Sequence, residues 1–199
     1  MINHVPYATE HLESIKNEIN NYIFSFIGVS TVDEVESAVY NRRLRVMMYQ
    51  GIPSYAMPYT SPRLNELLET LKIKYGEVID STIWVGTSKS VTPVLSAADR
   101  KFNFFIPCAT SADFKIQYYN YSGSTSVSVR SNNEVDISIV NVPDDLNLLT
   151  PDDVLVSPSA GWIRADRLQS INNWTPNIFI YAGFKFENQD LIESELFTE

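Results

Sequence analysis

The repeat of apolar residues changes once along this chain, near Gly76, from a spacing of three and four to a spacing of two. A helix brings every third or fourth side chain to one face, and a strand brings every second. No single element type satisfies both periods, so the chain has to combine helix with sheet. Before the change, Leu12, Ile15, Ile19, Tyr22, Ile23 and Phe26 form one stripe over residues 9–27, with Thr9 placed to cap it. A second helix is expected to open at Thr31, with Glu34 completing a capping box, and to carry Val35, Val39 and Val46 before fading near Gly51. The stretch GIPSYAMPYTSP that follows holds Pro53, Pro58 and Pro62 and reads as loop. Ser61 then caps a third helix with Pro62 in its first turn, Leu64, Leu67, Leu68, Leu71 and Tyr75 on one face, and Gly76 at a left-handed end.

Beyond Gly76, VIDSTIWVG and KFNFFIP read as strands. Residues 113–142 alternate most regularly. Phe114, Ile116 and Tyr118 interleave with Lys115, Gln117 and Tyr119; Val127 and Val129 with Ser126 and Ser128; Val135, Ile137 and Ile139 with Asp136 and Ser138. With turn residues at SGS and SNN, this predicts a meander of three antiparallel strands with one apolar face. Residues 143–177 are irregular, and GWIRADRLQSI suits either a short helix or a strand. NIFIYAGFKFE reads as a last strand, broken near Gly183. The fold class expected is therefore α+β. A helical layer of about three helices occupies residues 1–76, an antiparallel β-sandwich or barrel-like domain residues 77–186, and an acidic and apolar tail residues 187–199.

Charge narrows the partners. The chain has 199 residues and a formal net charge of -9, which repels a nucleic-acid backbone and an anionic membrane surface alike. The one compact basic run, Arg42-Arg43-Leu44-Arg45, is too short to make the stripe of cations that nucleic acid requires. The N-terminus lacks the basic and apolar regions of a signal peptide, and no segment has the apolar length of a membrane span. A virion or a cytoplasm is the expected location.

The chemistry-bearing residues are few. Cys108 is the single cysteine and lies in an apolar strand end, where a buried, inert thiol is expected. His4 and His11 are the only imidazoles, and both sit near the N-terminus. There is no nucleophile elbow and no glycine-rich phosphate loop. Zinc chemistry is short of ligands, and no cofactor is expected. Pro143-Asp144-Asp145 and Pro151-Asp152-Asp153 could offer oxygens to calcium if their turns converged, but Pro-Asp-Asp is also ordinary turn and cap chemistry. Arg100, Ser124-Thr125-Ser126 and Glu193-Ser194-Glu195 occur in the order used by ADP-ribosyltransferases. The triplet here follows a hairpin turn and no strand follows the glutamates, so no resemblance to that family is drawn and a transferase stands third among the readings.

The first reading is a non-enzymatic structural or assembly protein: an oligomeric component of a virus or bacteriophage particle, such as a connector, neck or capsid-associated subunit. Its partners would be proteins, itself among them, with neither nucleic acid nor membrane. The second is a glycan- or protein-binding module. Two places suit docking. Tyr119 and Tyr121 share a strand face and offer flat area at low entropic cost. Leu191, Ile192, Leu196 and Phe197 place apolar groups among the acids of the C-terminal tail.

Overall fold

The computed structural model describes residues 1–28, 30, 31, 34, 46–48, 61–86, 94–110, 113–132, 136–172 and 179–198. Within them the protein is α+β, with helices and antiparallel sheets; none of the sheets closes on itself.

The largest sheet has six strands: β1 (His4–Pro6), β10 (Gly161–Arg164), β5 (Phe102–Ala109), β12 (Phe179–Phe186), β3 (Val78–Gly86) and β2 (Val46–Met48), in that spatial order. The period-two runs found in the sequence supply its centre. Phe102, Phe104 and Ile106 of β5 point to one core and Phe105 to another, and β12 divides Ile180, Ala182, Phe184 and Phe186 from Phe179 and Tyr181 in the same way. A strand buried on both faces shows no polar alternation, which is why β12 reads as a continuous apolar run. β12 also runs unbroken through Gly183, contrary to the expected interruption.

Pro107 sits inside β5, a central strand, where it can donate nothing to the ladder. The register shifts there: Ile180 faces Ala109 while Tyr181 faces Pro107, leaving Cys108 as the extra residue of a β-bulge. A bulge is where a sheet interior tolerates proline.

Three helices lie among the described residues. α1 (Leu12–Ile27) and α2 (Pro62–Tyr75) fall in the first third, and α3 (Gln189–Leu196) is C-terminal. Ile15, Ile19 and Ile23 of α1, Leu64, Leu67, Leu68, Leu71 and Tyr75 of α2, and Ile192 of α3 join one core with β3, β5, β10 and β12. The boundary at Gly76 thus separates element types in the sequence but not cores in space. Thr9 does not cap α1: the N-cap is His11, without a side-chain cap, and Thr9 Oγ1 accepts only from the His11 N–H, at 3.4 Å, in the turn before the helix. Ser61 makes no side-chain cap on α2. Glu18 of α1 does so from outside, accepting from the Arg63 and Leu64 N–H groups at 3.0 and 2.9 Å. Gly76 has φ +80° with ψ -172°, not the left-handed helical end expected of it.

Half of the capping box expected at the second helix is present: Glu34 N–H donates to Thr31 Oγ1 at 3.4 Å, but the Glu34 carboxylate accepts from the Ser30 N–H, at 2.7 Å, and not from that of Thr31. Val35, Val39 and the loop before Ser61 lie outside the described residues. Val46 does not continue a helix. It begins β2, which pairs with β3 through Val46↔Trp84.

The predicted meander does not form. β6 (Lys115–Tyr121) lies between β11 (Gln169–Asn172) and β9 (Leu149–Val156), while β7 (Thr125–Asn132) pairs with β8 (Asp136–Pro143) in a separate sheet edged by β4 (Ser96–Ala97). Both edges of β6 are occupied by later strands, so β7 has no place beside it. Alternation reports which residues face inward on a strand, not which strand is its neighbour. Burial on the hairpin is also reversed from expectation: Val140 is 7% exposed, whereas Val127 is 64% and Ile139 37% exposed.

Candidate interaction surface

β6 is built on strict alternation. Phe114, just before it, and Ile116 and Tyr118 within it are fully buried and pack with Phe105, Ile163, Ile171, Phe179 and Tyr181. Burial this complete places the Tyr118 ring in a dry core, raises its phenol pKa, and leaves its hydroxyl one escape: it donates to the Arg164 carbonyl at 3.1 Å. The pleat then sends Lys115, Gln117, Tyr119 and Tyr121 to the opposite face.

On that outer face β9 runs beside β6, with Lys115↔Val156, Gln117↔Val154, Tyr119↔Pro151 and Tyr121↔Leu149 in register. Val154 is 42% and Val156 56% exposed. Leu146 and Leu148, in a short 3₁₀ turn just before β9, are exposed as well. Leu148 lies against Gly123 at the end of β6, where an added Cβ would come within 2.9 Å of Leu148 Cδ1 and 2.5 Å of the Tyr121 hydroxyl. Only glycine lets the Tyr121 ring fold over this turn. Tyr119 and Tyr121 are therefore half-buried members of the face, not free flat rings. The Tyr119 hydroxyl is 3.1 Å from Ser170 Oγ, and the Tyr121 oxygen accepts from the Asp145 N–H at 3.2 Å.

A bulge separates this face from a polar anchor beneath it. The register of β9 slips between Val154 and Pro151, so Asp152 and Asp153 together oppose Tyr118. Bulges re-aim side chains. Here they aim two carboxylates at the N-terminal arm: Asp153 accepts from Asn3 Nδ2 at 2.7 Å, and Asp152 meets Arg167 at 2.5 Å. Arg167 also donates to Asn3 Oδ1 and Asn120 Oδ1 and stands over the Tyr118 ring at 5.4 Å. The hydrogen bond from Arg167 holds the Asp152 carboxyl below its ordinary pKa. Nothing in the linear sequence marks this cluster beyond the second Pro-Asp-Asp itself.

The four aspartates do not converge. Asp144 accepts from Ser124 Oγ at 2.8 Å and Asp145 from the Asn147 N–H and side chain, while Asp152 and Asp153 serve Arg167 and Asn3. Among the described residues no three His, Cys, Asp or Glu side chains stand close enough to share a metal ion.

The C-terminal docking residues are a correction. Ile192 is 0% and Phe197 6% exposed, and both lie in the protein's own core. Phe197 stacks on Phe102 at 4.2 Å, and Leu196 is half-buried against the same cluster. Gln189 fixes the helix to the sheet, its Oε1 accepting from the Lys101 and Phe102 N–H groups at 3.0 and 2.8 Å. Lys101 bonds Glu193 at 2.7 Å. Of the tail residues expected to dock on a neighbour, Leu191 alone is exposed.

The remaining candidates each have partners of their own. Arg100 is enclosed by Asp80 and Asp99, Ser124 bonds Asp144, and Glu195 pairs with Lys74 at 2.7 Å. Burial works against ionising Asp99, yet Arg100 and Lys185 outweigh it and hold its carboxyl low. The Cys108 thiol donates to the Ile106 carbonyl at 3.3 Å, and burial raises its pKa far above the reactive range. His4 donates to the Ser159 carbonyl at 3.0 Å, and His11 stands 3.3 Å from Glu10 at the start of α1. The Arg42-Arg43-Leu44-Arg45 run lies outside the described residues. No helix among them is long and apolar enough to cross a membrane.

No protein-family model matches the chain, and a search of curated proteins finds no relative.

Proposed function

We propose that the protein is a non-enzymatic assembly subunit that works by protein–protein contact within an oligomeric particle, of the kind that virus and bacteriophage connectors, necks and capsid-associated subunits make. One observation carries this reading: the outer face of β6 and β9 leaves Val154 and Val156 exposed beside Tyr119, Tyr121 and Leu148, with the acids of β9 turned away beneath it. Apolar groups gathered on a rigid sheet face mark an interaction site more often than apolar groups scattered singly. Tyrosine is among the residues enriched in such contacts. Among the described residues, Arg100, Lys101 and Arg167 are engaged in ion pairs that brace the fold.

The same face supports a second reading, a module that binds a glycan or a different protein, because Tyr119 and Tyr121 are only half-buried. The two readings differ in native mass. Light scattering coupled to size exclusion, over a concentration series, is expected to give a discrete multiple of the 22.6 kDa chain. A single species of 22.6 kDa at every concentration would transfer the face to the second reading.

A further inference from the structure

The β6–β9 face is polarised along its length. Lys115 stands at one end beside Val156. Asp144 and Asp145 stand exposed at the other, where Asp145 touches the Tyr121 hydroxyl. Between them lie Gln117, Tyr119 and the apolar residues of β9. Among the described side chains, Lys115 is the one lysine or arginine that forms no ion pair; the others are each matched to a carboxylate.

We propose that this face binds a second copy of the chain about a two-fold axis, the two β6–β9 faces running antiparallel, so that Lys115 of each copy meets Asp144 and Asp145 of the other. The inference rests on the assembly reading and names its partner. A two-fold contact sets each end of a patch against the opposite end of its twin, so a patch with one basic and one acidic end is complementary to itself. The length fits: Tyr121 lies six residue steps along β6 from Lys115, about 20 Å at a strand rise of about 3.3 Å. Two acidic bodies also approach most easily along a face whose middle is uncharged. The apolar band supplies the attraction, and the end charges select the antiparallel orientation over the parallel one, which would bring like charges together.

Sedimentation velocity on the full chain tests this with four variants. Val154→Asp with Val156→Asp should abolish self-association while leaving the circular dichroism spectrum and the unfolding midpoint in place. Lys115→Glu should weaken it at least tenfold and Asp144→Lys measurably. Lys115→Glu combined with Asp144→Lys should recover most of that loss, since only a direct pairing of the two ends is restored by exchanging their charges. A wild-type oligomer that every variant matches in strength would overturn the inference and leave the assembly reading standing. So would a charge exchange no better than its single changes. A wild-type monomer at all concentrations would remove both.

Discussion

Two stretches of this chain mix apolar residues with acids, and they end in opposite states. In α3 and the residue after it, Ile192 and Phe197 are enclosed in the core, and Leu196 packs against it. In β9, Val154 and Val156 remain at the surface while Leu155 between them packs against buried Ile116 and Tyr118. Composition does not distinguish the two. Geometry does. α3 reaches the same sheet face that α1 and α2 cover, where Phe102 and Trp162 require a lid, and Gln189 supplies the backbone contacts that hold it. β9 belongs to a three-stranded sheet of which one face meets the core, through Leu155, while Val154 and Val156 on the other stay exposed. Apolar residues on a chain end are thus weak evidence of a docking arm, and apolar residues on the outer face of an edge strand are better evidence.

The sharpest way to break this contrast is to treat α3 as surface. Ile192→Ala should destabilise the protein by about 2–5 kcal/mol in chemical denaturation, the range for a fully buried aliphatic side chain. A loss below about 0.5 kcal/mol would return α3 to the docking surface. The N-terminal arm supplies the next test. Gly161 has φ +157°, and a Cβ there would come within 2.2 Å of the Val5 carbonyl oxygen. Gly161→Ala should release β1, cost about 1–3 kcal/mol, and show as faster hydrogen exchange at the β1 amides without loss of the α1 amides. A change confined elsewhere would mean that the arm is not held by this strand pairing.

A smaller effect follows from Glu18. Its carboxylate caps α2 across the helix pair, so Glu18→Ala should cost about 0.5–2 kcal/mol, with Glu18→Asp failing to restore it because the side chain is too short. An unchanged unfolding midpoint would leave α2 without a functional cap. The smallest expected effect concerns pH and the arm again. Burial lowers the His4 pKa, with the Ser159 carbonyl opposing that shift. The folded state then binds a proton less readily than the unfolded chain. Its stability should be full above the ordinary value of 6.5 and decline as pH falls from there toward the lowered folded value. The protection of the β1 amides, taken relative to their intrinsic exchange rate at each pH, should fall as pH drops through that window in the wild type and stay flat in His4→Gln. A wild-type arm equally protected above and below it would sink the claim.

The parts of the fold legible in the sequence are those fixed by local period. The stripe Ile15-Ile19-Ile23, the leucines of α2 and the alternation of Phe114, Ile116 and Tyr118 all face inward as their spacing requires. What spacing does not encode is which elements meet. β6 chose β9 and β11 over its sequence neighbour β7, and β1 closes onto β10 from far along the chain. The outer face was partly legible, since Tyr119 and Tyr121 belong to it. Val154 and Val156 were not, because a Pro-Asp-Asp stretch reads as turn, and only the bulge shows that a strand runs through it. The cis cap from Glu18 had no local signal, as its two partners lie more than forty residues away.

The most direct test of the proposed pairing through this face is a zero-length cross-link between an amine and a carboxylate, made on a mixture of isotopically light and heavy chains. Lys115 and the Asp144–Asp145 pair mark opposite ends of one face, too far apart to join within a single copy. Peptide mass spectrometry should therefore find Lys115 joined to Asp144 or Asp145 as a light–heavy hybrid, in a product that disappears in Val154→Asp with Val156→Asp. Cross-linked oligomers that lack this pair, or chains that form no hybrid at all, would contradict the two-fold contact.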